Sequence, residues 1–190
     1  MTDHPMLFSG PMVRALLAGT KTQTRRALSP QPNMLNGGLP LNDGRGSYST
    51  ESGWKRYRVR QGDRIWVREA WRTLGDGPLS ECTGPDDLTF LATDEEALAA
   101  QCKYRPGIHL FRWGSRITLH VTDVRVHRLC HIGDDDIRAE GVEDTETSWL
   151  NAWHRLWASV NGEASWEADP WVAAYTFTVE IANIDHARAK

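Results

Sequence analysis

The chain has 190 residues, 40% of them hydrophobic, and a formal net charge of −3 at pH 7. That length supports one domain with a proper core, the apolar share argues against wholesale disorder, and the slight acidity argues against a protein that coats nucleic acid nonspecifically. No apolar run approaches the ~18 residues of a membrane span, the N-terminus MTDHPMLFSG lacks the basic and apolar regions of a signal peptide, and Cys82, Cys102 and Cys130 show no paired spacing.

These features predict a protein of the reducing cytoplasm with no disulfide framework and no membrane partner. Apolar segments recur to the C-terminus without a linker between balanced halves. A single domain over residues 1–190 is therefore expected, with loop insertions at about 29–62 and 72–105. The cations are unusual in kind, 18 arginines against 4 lysines. Arginine's planar fork can pair with phosphate or stack on a base. The run Lys55, Arg56, Arg58, Arg60, Arg64, Arg68 and Arg72 forms either such a patch or a solvated face.

Along the chain, Pro11 to Ala18 reads as a helix, with Pro11 in its first turn, Met12, Val13, Leu16 and Leu17 as an apolar stripe, and Gly19 as its stop. TKTQTRRAL then leads through a turn into a strand. Residues 29–62 are rich in Pro, Gly, Ser and Asn and predict an excursion too poor in apolar residues for a core. RIWVREAW (64–71) alternates as a strand does, and 72–92 reads as irregular. Thr93 and Glu96 form a capping box for a helix from Asp94 to about Lys103.

The clearest strand is 115–126, where Ile117, Leu119 and Val121 give way to Val124 and Val126 on the other parity, as a bulge near Thr122–Asp123 would produce. GDDDIRAEG (133–141) predicts a short helix capped by Asp134 and stopped by Gly141. SWLNAWHRLWASV (148–160) predicts a longer one, with Trp149, Leu150, Trp153, Leu156, Trp157 and Val160 on one face. A last strand runs over about 172–182. Short strands, few helices and no βαβ rhythm predict an α+β fold: a small barrel with helices packed outside it.

No GxSxG elbow, HExxH, Walker loop or helix-opening GxGxxG occurs. His127, Cys130 and His131 lie close together, with His120 upstream, but no second ligand pair follows at zinc spacing, so no metal or other cofactor is expected. Asp134, Asp135 and Asp136 suit the positive end of a helix. Trp66, Trp71 and Trp113 lie outside the helical stripe and serve either core packing or base stacking. GTKTQTRR (19–26) gathers Lys21, Thr22, Thr24, Arg25 and Arg26 at a helix-to-strand junction. Residues two apart share a strand face, so Thr22, Thr24 and Arg26 point together with Lys21 at the turn. On spacing alone, a solvated strand start with a charged turn is the better account.

This segment resembles the GxKTxTxR signature of the ASCH family, relatives of PUA-like RNA-binding barrels. PMLFSGPMVRALLAGTKTQTRR, GDRIWVREAW, RPGIHLFRWGSRITL, DDDIRAEGV and DPWVAAYTFTV resemble, in order, blocks of phage- and prophage-type members. The resemblance implies a mixed PUA-like barrel with short surrounding helices. It also implies kinship with N4-acetylcytidine amidohydrolases, which release acetate from the modified nucleoside by a lysine and a threonine of GxKTxT and a later helical glutamate. Lys21 and Thr24 match the first two, and Glu140 in AEG matches the third.

The residues also read chemically. Threonine needs a base to become a nucleophile, and Lys21 can serve if burial and Arg25 or Arg26 favour its neutral amine. Glu140, at a helix C-terminus, is placed to act as proton donor. Arg26, Glu69, Trp71 and Trp113 are candidates for the substrate pocket wall, and equally for structural ion pairs and core. The expected partner is a small modified nucleoside. The alternatives are an RNA-binding module of PUA-like type and a metal-independent ribonuclease. Sequence alone leaves the acyl group and the oligomeric state open.

Overall fold

A computed structural model describes residues 1–33, 47–73, 79–82, 84–94, 104–143 and 148–187. They fall into two compact units. The first comprises Met1–Gly19, Asp63–His120 and Thr178–Lys190, the second Thr20–Gly62 and Val121–Phe177. The expected helix from Asp94 to Lys103, with its capping glutamate, lies outside the described residues beyond Asp94, as does Cys102.

The first unit opens with β1 (Asp3–Leu7) and α1 (Gly10–Leu17). Pro11 sits in the first turn of α1, Val13 and Leu16 are its buried stripe, and Gly19 ends it at a φ of 74°. β1 was not legible, because Pro5 interrupts its pattern. Among the described residues it is a terminal strand paired only with β5 (Arg64–Arg68), where a proline costs no ladder bond on the open side. That pairing is parallel, and β5 also pairs antiparallel with the start of β8 (Thr118–Arg128), Arg64 opposite His120.

With partners on both sides, β5 buries Ile65, Trp66 and Val67 together rather than alternately. RIWVREAW is therefore not one strand. β5 stops at Arg68, and Trp71 opens β6 (Trp71–Thr73), which pairs antiparallel with β7 (Leu88–Phe90). This small ribbon lies where an irregular segment was expected. It carries a core cluster of Trp71, Leu88, Phe90 and Leu110.

In the second unit β2 (Gln23–Ala27) pairs antiparallel with β9 (Trp171–Glu180), Thr24 opposite Tyr175. β8 is the neighbour of β9 on its other side. Thr122 and Asp123 are successive exposed residues in β8, and burial switches from Leu119 and Val121 to Val124 and Val126 across them, as the parity change predicts. Part of the 29–62 excursion is structured after all. β3 (Ser47–Thr50) and β4 (Gly53–Arg56) form a hairpin, and Tyr48 packs on Tyr57 at 5.2 Å, both rings buried. Two tyrosines and Val59 provide the apolar anchor that composition averaged away.

Three helices complete this unit: α2 (Asp134–Ala139), α3 (Trp149–Asn161) and α4 (Glu163–Glu167). The N-cap of α2 is Gly133, and Asp134 is the first helical residue rather than the cap. Ser148 caps α3 by accepting from the Asn151 N–H. Trp153 and Trp157 pack with Leu129, Ile132, Ile137 and Val172, whereas Leu150 and Val160 are exposed, so the apolar face is narrower than its sequence stripe. Gly162, at a φ of 84°, both ends α3 and begins α4.

Hydrogen bonding thus runs β1–β5–β8 in the first unit and β8–β9–β2 in the second, five strands of mixed direction. The fold is α+β as expected. Among the described residues the strands close no barrel, since β1 and β2 each have one strand partner. No helix among them is long and apolar enough to cross a membrane.

Candidate active site

GTKTQTRR and AEG meet in the second unit. Lys21 forms an antiparallel bridge with Glu140, the Thr22 N–H donates to the Ala139 carbonyl at 2.8 Å, and the Phe177 N–H donates to the Thr22 carbonyl at 3.0 Å. These backbone bonds fix the turn before β2 against the C-terminal end of α2. The side chains follow. Lys21 Nζ donates to Glu140 Oε2 at 2.8 Å and to the Glu140 carbonyl at 2.7 Å. Arg25 Nη1 donates to Glu140 Oε1 at 2.8 Å, and Arg25 Nη2 to Asp136 Oδ2 at 2.8 Å. Arg125 Nη2 closes the row on Asp136 Oδ1 at 2.7 Å.

The result is an alternating chain of charges, Arg125–Asp136–Arg25–Glu140–Lys21. Its inner end is dry: Lys21 is 0% exposed, Arg25 2% and Glu140 3%. Burial pushes the Lys21 ammonium below its ordinary value; the Glu140 charge and hydrogen bond oppose this, and Arg26 and Arg25 add to it. At Asp136 burial raises the carboxyl, but the hydrogen bond from Arg125 and the charge of Arg25 outweigh it and hold the group below the usual carboxylate range.

Thr24 is also 0% exposed, and its Oγ1 accepts from Arg26 Nη1 at 3.0 Å. Thr24 and Arg26 therefore share a face of β2, as the period of two requires, whereas Thr22 is exposed. Arg25 points to the opposite face and into the ion-pair chain. By sequence, Arg25 reads only as a charge near Lys21, and Asp136 as an acid at a helix N-terminus. The signal that would have found both is the pairing of an odd-parity arginine in β2 with an acid one helical turn before Glu140.

The other pocket candidates belong to the first unit. Arg116 grips Glu69 in a fork, Nε to Oε1 and Nη2 to Oε2, both at 2.9 Å. Burial raises the Glu69 carboxyl, with Arg116 opposing. Trp71 is 0% exposed within its cluster, and Trp113 stacks on Phe111 at 5.6 Å with planes 6° apart. As for metal ligands, His127 Nδ1 lies 2.7 Å from the Arg128 carbonyl, and Asp135 pairs with Arg138. Among the described residues no group of three or more His, Cys, Asp or Glu side chains is arranged to hold a metal ion.

A buried carboxylate bound by a lysine and an arginine, with a buried hydroxyl two strand positions from that arginine's neighbour, can store and move one proton without solvent. Such networks rarely add stability over apolar packing of the same volume, so their presence calls for another reason.

No family model matches the chain, and no curated protein is similar to it. Among solved structures, protein EF3133 from Enterococcus faecalis V583, described by the family model DUF984, aligns over 99% of this chain and 86% of its own, at 12% identity and a TM-score of 0.45.

Proposed function

We propose that this chain is an ASCH-type amidohydrolase of PUA-like ancestry that removes the acyl group from N4-acetylcytidine or a related N4-acylated cytosine nucleoside. The observation that carries the proposal is the buried 2.8 Å contact between Lys21 and Glu140. The substrate class rests on the resemblance of GTKTQTRR and its companion blocks. The contact supports the acid–base chemistry.

The pair works by moving one proton. Transfer from Lys21 Nζ to Glu140 Oε2 converts an ammonium and a carboxylate into an amine and an acid. Burial narrows the gap between those two states, because it pushes the Lys21 ammonium below its ordinary value. The amine takes the proton of the Thr24 hydroxyl, or of a water held by it, as that oxygen attacks the acyl carbonyl. Arg26, 3.0 Å from Thr24 Oγ1, supplies positive charge beside the developing oxyanion. Glu140 then protonates the departing cytosine as its C–N bond breaks. If Thr24 itself carried the acyl group, a second proton transfer from Lys21 to Glu140 would free the amine to take a proton from the attacking water, and Glu140 would return one to the Thr24 oxygen as the carboxylic acid leaves. Each group ends in its starting state, and the scheme draws on no cofactor. Lys21 and Thr24 are both 0% exposed, so turnover requires a local opening that admits the substrate.

Ultraviolet detection of cytidine released from N4-acetylcytidine tests the proposal. Turnover by the wild type is the expected result. Absence of turnover across several N4-acylated cytidines would sink it. The reading would then pass to an RNA binder, seen as salt-dependent affinity, or a ribonuclease, seen as RNA shortening in the presence of chelator.

A further inference from the structure

The first unit holds a cleft of about 510 Å³ that the proposed chemistry does not use. Its lining combines Arg68, Arg105 and His109 with Trp71, Ile108 and Phe111, and among the described residues includes no acidic one. The wall from Arg105 to Phe111 is firmly built. Trp71 and Arg105 exchange two backbone hydrogen bonds, at 3.1 Å and 2.7 Å. Arg68 donates Nε to the Gly107 carbonyl at 3.2 Å and Nη2 to the Ile108 carbonyl. Gly107 lies so close to β5 that a Cβ there would sit 2.9 Å from the Glu69 carbonyl carbon and 3.1 Å from the Arg68 oxygen. Only glycine permits that approach.

The wall also leaves binding groups unspent. Phe111 is 44% exposed and Ile108 56%. The Phe111 ring lies parallel to Trp113 and at 67° to Trp71, with centroids 5.6 Å and 6.1 Å away, so it is held in orientation while 44% of the residue stays exposed. Exposed Arg105 has its guanidinium over the Trp71 ring at 5.2 Å, and among the described residues no carboxylate meets it. An aromatic backing orients this cation without neutralising it. An oriented, part-exposed ring, an arginine that no described carboxylate meets and a lining without acids among the described residues together suit a ligand that joins a flat π-system to an anion.

We propose that this cleft binds a nucleotide, its base stacked on Phe111 and its phosphate held by Arg105. A free nucleotide and a nucleotide within single-stranded RNA present the same chemistry. The inference does not rest on the amidohydrolase reading, since Lys21, Thr24 and Glu140 all belong to the second unit.

The test titrates the full chain with cytidine 5′-monophosphate, with cytidine and with a short single-stranded oligoribonucleotide, by calorimetry. The monophosphate should bind about tenfold or more tightly than cytidine, because a phosphate–arginine contact is charge-assisted. Arg105→Ala and Arg105→Gln should abolish that preference. Phe111→Ala should weaken binding by about five- to a hundredfold, the usual worth of a base–aromatic stack. Both side chains are exposed, so circular dichroism of the variants should match the wild type. Tighter binding of the oligoribonucleotide with steep salt dependence identifies RNA as the source; equal affinity for the monophosphate identifies the free nucleotide. Failure of all three probes to bind would overturn the proposal, as would binding that Arg105→Ala and Phe111→Ala leave unchanged.

Discussion

Replacing Glu140 by alanine probes the ion-pair chain at its most buried link. The substitution leaves Lys21 Nζ, at 0% exposure, with a backbone carbonyl as its remaining partner, and leaves Arg25 Nη1 the longer 3.3 Å bond to Gln23 Oε1 while Arg25 Nη2 keeps Asp136. Removing one member of a buried pair costs about 3–5 kcal/mol, because the charge left behind has lost its solvent and its partner alike. Lys21 can escape part of that cost by releasing its proton. Its ammonium is already pushed below the ordinary value by burial, and loss of Glu140 removes the group that opposes this. Between the depressed folded value and the ordinary value of 10.5 the unfolded chain binds more protons, so stability there rises with pH. Loss of Glu140 lowers the folded value of Lys21 further, so the deficit of Glu140→Ala should be greatest below the variant's folded value and shrink as pH rises from it toward that of the wild type. Urea unfolding of the wild type, Glu140→Ala, Lys21→Met and the double variant, at two pH values, measures this. The double variant should recover at least about 1 kcal/mol of the summed single losses, since the two residues are coupled. A Glu140→Ala loss below about 1 kcal/mol, or one that ignores both pH and Lys21, would refute the reasoning.

Other consequences follow from single residues. The buried Tyr175 phenol is pushed up to about 12 from an ordinary 10, so stability present below pH 10 should be lost between pH 10 and 12 as the unfolded phenol ionises first. Tyr175→Phe should flatten that decline, as equilibrium unfolding across the range will show. Asp136 has the opposite sign: its depressed value adds stability above the ordinary 3.8 that vanishes as pH falls through the folded value. Asp136→Asn should thus be less stable at neutral pH and converge on the wild type in acid, measured by the same unfolding curves. Asn183 Nδ2 donates to the carbonyls of Arg112, Trp113 and Ser115 at 2.7–2.9 Å, and its Oδ1 accepts from the Asp185 N–H. Asn183→Ala takes this donor from the buried Ser115 carbonyl and the part-buried Trp113 carbonyl, while the Arg112 carbonyl keeps the Ser115 N–H, and should cost about 1–3 kcal/mol by urea unfolding. A loss under 1 kcal/mol would mean that this amide is not what secures the turn.

Helices α1, α2 and α3 and strands β8 and β9 were readable because each carries its own periodicity and its own stop. Ser148, Gly19 and Gly162 act locally, and no distant partner is needed to recognise them. What sequence hid was set by partners. β1 contains a proline that only a terminal strand position excuses. β6 and β7 are three residues each, too short for a period to register. The hairpin at Ser47–Arg56 hangs on Tyr48 and Tyr57 amid a stretch whose average composition looks like loop. The site shows the same division. Lys21, Thr24 and Arg26 were visible through spacing and resemblance, and the contact of Lys21 with Glu140 spans 119 positions that no local pattern bridges. Arg25 and Asp136 escaped notice because each had an adequate local explanation. Trp71, weighed as pocket wall or core, is fully buried in the β6–β7 cluster and is also part of the cleft lining.

The measurement that bears most directly on the amidohydrolase account is the rate of cytidine release from N4-acetylcytidine by Lys21→Met beside the wild type, both checked for folding by circular dichroism. Loss of the proposed general base should lower turnover by about a hundred- to ten-thousandfold in a folded variant, because Arg25 still binds Glu140 there. Full activity without the Lys21 amine would contradict the account.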